Sequence, residues 1–337
     1  MILSRSVFTR SALAATAVCA LRTPVQAQNV TNLRVIYFPS ADILPTWIGI
    51  AKGFFAARGV SLTMTPTPGS VYQFQHLSAG DFDIALTAID NAIAYDEGQG
   101  QAPLPNPADF VAFFGGDNAL LRLYARPEIR SYADLRGKPI SVDALTTGFA
   151  FVLRKMLEAG GLHDGDYTLV PAGGTLQRYQ RLTTSTDFAA TLLTVPFDLQ
   201  AKAQGFTHLG DAVDTIGRYQ GIVSVASRAW MAGHGADVIG YIRGTRDALH
   251  WMYSPSNREE ATRILIANTQ LTPELAAQLY PVLVDGSIDR EGKVDPAGLQ
   301  TVLALRSQYG MPHKALTDPT RYYDDSAYRA ALRQETR

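Results

Sequence analysis

From Leu33 onward, strand-like and helix-like segments alternate, and this alternation limits the folds open to the chain more than any other feature. The segment LRVIYF, residues 33–38, is rich in β-branched and aromatic side chains and predicts a strand, ended by Pro39-Ser40. The next segment, DILPTWIGIAKGFFAARG, predicts one helix over 42–59. Ile43, Trp47, Ile50, Phe54 and Phe55 recur there at steps of three and four, and Gly59 sits at the C-terminal cap. Trp47 is read as a core residue of that helix. VSLTMTP alternates as a second strand. Residues 69–80 form a short helix opened by Gly69-Ser70. FDIALT is a third strand, followed by a helix that Asp90 or Asn91 can cap.

The same grammar repeats downstream. DFVAFFG, LLRLYAR, PISVD, YTLVPAG and the end of GTLQRYQRLTTSTDFAATLL are strand-like, with helices ending near Gly160-Gly161 and within 174–193. TVPFDLQAKAQG is a loop and helix, and GIVSVASRAW begins as a strand. The chain then turns helical over 237–253, 259–268, 273–284 and 296–309. Its last twenty residues are expected to form a loosely packed tail helix.

Strands alternating with helices imply mostly parallel sheets flanked by helices. The expected class is α/β, with two such lobes, a hinge of two chain crossings and a helical C-terminal extension. The crossings are placed near Gly115–Asp117 and Ile216–Gly221, where glycines absorb dihedral change. One lobe is expected to take 29–115 plus 220–337, the other 116–219. In such sheets ligands sit beyond the carboxyl ends of the strands. That puts 37–42, 68–70 and 87–91 on one rim.

The first 27 residues read as a secretory signal peptide cut after Ala27: Arg5 and Arg10, the apolar SALAATAVCAL, then VQA. The residues before Cys19 fit a lipidation signal poorly. Removing this segment takes three arginines and no acid, shifting the formal charge from −1 to −4, and takes the only cysteine. No basic stripe exists to release counterions from nucleic acid. Hydrophobic residues at 46% and charged residues at 18% suit a globular protein.

Catalytic signatures are scarce. The six histidines are scattered without metal or catalytic spacing, and no GxSxG elbow or phosphate-loop lysine occurs. Residues 285–295 space their acids somewhat like a calcium loop but miss its template. No cofactor is expected.

Three stretches taken together carry a resemblance: LPTWIGIAKGFFAARGVSLTMTPTPGS, LSAGDFDIALTAIDNAIAY and DLRGKPISVDALTTGFAFVLRKMLEAGGL. In order and spacing, over most of 33–230, they resemble the periplasmic solute-binding proteins of ABC importers, in the sulfonate-, nitrate- and thiamine-precursor-binding (NMT1/THI5-like) branch. The resemblance implies a type II periplasmic binding fold and no enzyme activity. It further implies a monomer that hands a small solute to a membrane permease and its ATPase.

The resemblance also implies a site. On the first lobe it names Tyr37, Ser40, Asp42, Gly69, Ser70, Thr87, Asp90 and Asn91. On the second it names Asp143, Thr146, Thr147, Gly148, Phe149, Thr175, Pro196, Phe197 and Asp198. For Asp90 and the Thr147 region, capping of the local helix is the competing reading. The rim so drawn carries Asp42, Asp90, Asp117, Asp143 and Asp198 and no evident cation, which disfavours an anion. A neutral or cationic heterocycle is the expected ligand. An exported enzyme using carboxylate acid–base chemistry on the same scaffold is the alternative.

Overall fold

The computed structural model describes residues 30–335. The expected signal peptide, its expected cleavage site and Cys19 lie outside the described residues. Among the described residues, ten strands make two five-stranded sheets. The first joins β1 (Thr31–Tyr37), β2 (Val60–Pro66), β3 (Ile84–Ala88), β4 (Phe110–Phe114) and β10 (Ile222–Ser227), in the order β2-β1-β3-β10-β4. The second joins β5 (Arg122–Ala125), β6 (Pro139–Val142), β7 (Thr168–Pro171), β8 (Ala190–Leu193) and β9 (Thr207–Asp211), in the order β7-β6-β8-β5-β9.

Each sheet pairs in parallel except along one strand. β10 runs antiparallel to β3 and β4, and β5 runs antiparallel to β8 and β9. These two strands immediately follow the two crossings between sheets. A strand arriving from the other sheet enters from the opposite end, so it runs against its neighbours. The sheets are therefore mixed at the positions where the lobes are tied together.

Helices cover the sheets: α1 (Leu44–Ala51), α2 (Ser70–Ala79) and α3 (Ile89–Asp96) on the first, α4 (Gly148–Ala159), α5 (Thr175–Thr184), α6 (Phe197–Ala203) and α7 (Ala212–Ile216) on the second. After β10 come α8 (Arg228–Gly233), α9 (Gly235–Met252), α10 (Arg258–Thr269), α11 (Pro273–Val282), α12 (Pro296–Tyr309) and α13 (Ser326–Glu335). Among the described residues no helix is long and apolar enough to cross a membrane.

Three sequence expectations change. The helix expected over 42–59 breaks into a 3-10 turn (Ala41–Ile43), α1 and a second turn (Ala56–Arg58), because Gly53 takes a positive φ. Gly59 still closes the last turn in the left-handed conformation. The strand β9 and helix α7, unforeseen in the sequence, complete the edge of the second sheet. The tail helix is not loosely packed: Tyr328 and Ala331 are buried in one core with Tyr241 and Phe114, and Arg243 donates to the Ala331 carbonyl. Trp47 is in that same core, as expected.

Candidate ligand-binding cleft

Helix N-termini and strand ends from both sheets converge on a cavity between them. Its walls include Phe38, Ser40, Asp42, Asp90 and Asn91 from the first sheet's loops, and Asp143, Thr147, Phe149, Thr175 and Arg178 from the second's. Asp117, Ala119, Gly221 and Ile222 add the two crossings themselves. About 40 Å3 is open to the centre of a water molecule, where about 10–15 Å3 suffices for one water. The jaws are thus nearly shut. Backbone bonds run directly between them: Gly174 N–H to the Pro68 carbonyl at 2.8 Å and Ala41 N–H to the Val195 carbonyl at 3.1 Å.

Eight of the expected residues line the cavity: Ser40, Asp42, Asp90, Asn91, Asp143, Thr147, Phe149 and Thr175. Nine do not. Tyr37 ends β1 and packs against the first lobe's core. Thr87 is fully buried and accepts from Asn91 Nδ2 at 3.0 Å. The Thr146 carbonyl accepts from Arg306 at 2.9 Å. Phe197 is buried with its ring tilted against Tyr179 at 5.3 Å, and Pro196 is the N-cap of its helix. Asp198 turns inward to Arg122.

Gly69, Ser70 and Gly148 are occupied by carboxylates of the opposite lobe. Asp90, on the first turn of α3, accepts the Gly148 N–H at the start of α4. Asp143, after β6, accepts the Ser70 N–H at the start of α2 at 3.1 Å. Each lobe thereby caps a helix of the other, satisfying amides that a helix start leaves free. The glycines permit the close approach: a Cβ on Gly148 would collide with Asp90 and the Tyr219 hydroxyl, and one on Gly69 would crowd Asp143. Asp90 therefore caps a helix, but not its own; α3 has no side-chain cap.

The expected unopposed acid ring is corrected by three arginines. Arg306, fully buried on α12, pairs with Asp90 at 2.6 Å and also donates to Gln99 at 3.0 Å. Arg122 on β5 pairs with Asp198. Arg178 lines the cavity itself, donating to Thr191 Oγ1, Thr175 Oγ1 and the Gly173 and Leu192 carbonyls. Burial pulls its pKa down to about 10, partly offset by the charge of Asp143. A sequence signal for Arg178 exists: Thr175, Arg178 and Leu182 fall at steps of three and four on the buried face of α5.

Burial raises the remaining carboxyls. Asp143 is pushed up by desolvation and held back by Arg178 and Ser70. Asp42 is pushed up to about 6 by desolvation, against hydrogen bonds from the Ser287 and Ser40 hydroxyls at 2.6 and 2.8 Å. Asp117 lies well above the usual carboxylate range, from desolvation and the charge of Asp42, although it accepts from Ala119 N–H at 2.6 Å.

The NMT1/THI5 like family model matches residues 40–258, and the chain belongs to that family. No curated protein matches the sequence. Among solved structures, the periplasmic nitrate-binding protein NrtA from Synechocystis PCC 6803 superposes with a TM-score of 0.75 at 13% identity, covering 91% of this chain and 90% of its own. The periplasmic aliphatic sulphonate binding protein SsuA from Escherichia coli gives 0.61 at 18%, covering 86% and 91%. The desulfurization enzyme DSZB gives 0.61 at 15%, covering 90% and 99%. At these identities the likeness is one of fold.

Proposed function

We propose that the protein is a periplasmic solute receptor of an ABC importer. It captures a small polar organic solute between two lobes, 29–115 plus 220–337 and 116–219, and delivers it to a membrane permease energised by an ATPase. The observation that carries this reading is the cavity lined from both sheets and from both crossings, so that one solute can bridge the jaws. A ligand that contacts both lobes binds the closed form better than the open form, and that difference drives closure. Export by cleavage after Ala27, action as a monomer and the absence of any cofactor or nucleic-acid partner belong to the same reading. So does the preference for a neutral or cationic heterocycle. Thermal unfolding against a panel of polar metabolites, sulfonates and heterocycles tests it: at least one should raise the midpoint and shift tryptophan fluorescence. A panel without effect, on protein first unfolded and refolded to strip bound solute, would count against it.

A second reading has one observation in its favour. Asp42 titrates near 6, within the range where a carboxyl can serve as general acid or base near neutrality, and an enzyme shares the fold. An exported enzyme acting on a small organic substrate through Asp42, Asp90 or Asp143 would convert its ligand. The receptor would return it unchanged, and chromatography of the bound solute after prolonged incubation separates the two.

A further inference from the structure

Two of the other acids at the cleft hold ion pairs, and the third feels a buried arginine through its charge. Asp90 has Arg306, Asp198 has Arg122, and Asp143 feels Arg178. Asp42 and Asp117 have neutral donors only. The hydroxyls of Ser40 and Ser287 serve Asp42. The N–H groups of Ala119 and Ile222 serve Asp117. Both side chains are buried, and both face the cavity. The charges that act on Asp42 are those of Asp117, Asp198 and Arg122. Arg122 spends its own ion pairs on Asp198 and Asp211.

Arg178 keeps different company. Its hydrogen bonds all go to neutral oxygens, and Asp143 acts on it through charge alone. The cavity therefore offers a surplus of negative charge beside the crossings and a buried guanidinium on the second lobe.

We propose that Asp42 and Asp117 receive a cationic nitrogen of the solute, a protonated amine or amidinium, while Arg178 faces an oxygen acceptor at the solute's other end. This rests on the receptor reading and narrows its ligand to small amine-bearing solutes. Two buried carboxylates sharing one space cannot both stay charged cheaply. In the empty protein a proton relieves them; in the loaded protein the ligand's cation does, and the proton leaves. Asp117 also holds the crossing, since its own backbone carbonyl accepts from Gly221 N–H at 3.0 Å and Gln220 Nε2 at 2.9 Å. A cation settling there neutralises the hinge end of the cleft as the jaws close.

The test is calorimetric titration of the whole protein, stripped by unfolding and refolding, with 4-aminobutyrate, butylamine, butyrate, propanesulfonate and nitrate. The two amines should bind at least tenfold tighter than butyrate. Their affinity should fall as pH drops from 7.5 to 5.5, and D42N should erase the preference while still melting cooperatively. Butyrate, propanesulfonate or nitrate binding as tightly as the amines overturns the proposal, as does D42N with unchanged amine affinity. Both results leave the receptor reading standing. If none of the five binds, mass spectrometry of the solute that co-purifies decides: a basic nitrogen supports the proposal and its absence overturns it. No co-purifying solute at all overturns the receptor reading with it.

Discussion

Asp90 and Asp42 line one cavity and are both buried, yet their surroundings differ. Asp90 is locked: a buried arginine on one side, a helix amide of the opposite lobe on the other. Asp42 is answered by two serine hydroxyls and shares its space with a second acid. The first arrangement ties the closed lobes to one another. The second leaves charge for something else to satisfy. A cleft can thus assign one kind of side chain to structure and to recognition, and the partner decides which.

The largest effect that would break this comparison is expected at the locked end. Arg306→Met should cost about 3–5 kcal/mol, the usual penalty for leaving a buried partner charged and alone, read by urea unfolding. A cost below about 1 kcal/mol would mean Asp90 finds other compensation. Gly148→Ala should cost about 1–3 kcal/mol, because the added methyl meets Asp90 and Tyr219 where the core cannot give way.

At the unlocked end the sign reverses. Asp42 has a folded pKa of about 6 against an ordinary 3.8. Its contribution thus favours folding at pH below about 4 and is lost as pH rises through about 6. A tenfold change in an ionisation equilibrium is worth about 1.4 kcal/mol, so D42N should stabilise the empty protein at pH 7 by about 1–3 kcal/mol. The gain should vanish near pH 4 in matched unfolding curves. The smallest effect belongs to Asp143→Asn, which keeps an acceptor for Ser70 N–H and loses only its charge: a change within about 1 kcal/mol, with the closed jaws loosened in small-angle scattering.

The division between these two ends explains what the sequence could and could not reveal. Ser40, Asp42, Asp90 and Asn91 could be placed on the cavity wall because strand-to-helix turns in an α/β chain gather at one edge of a sheet, while Asp143, Thr147, Phe149 and Thr175 were placed there through the family resemblance. The sheets were legible for the same reason, through periodicity and punctuation. The cations were not. Arg306 lies 216 residues from Asp90, on a helix whose place in the fold no local pattern dictates. Without it Asp90 could be read only as a ligand contact or as the cap of its own helix. Gly148 and Gly69 sit where the opposite lobe's carboxylates come close. Local chemistry identified the groups, and tertiary packing chose their partners.

The central claim is that a solute occupies the cavity between the sheets. Native mass spectrometry of protein purified without unfolding addresses it directly, comparing wild type with Ala88→Leu, a substitution that fills the cavity wall. A one-to-one small-molecule adduct is expected on the wild type and lost in the filled variant. An adduct retained equally by both, or a wild type that carries none and gains none when polar solutes are added, would contradict it.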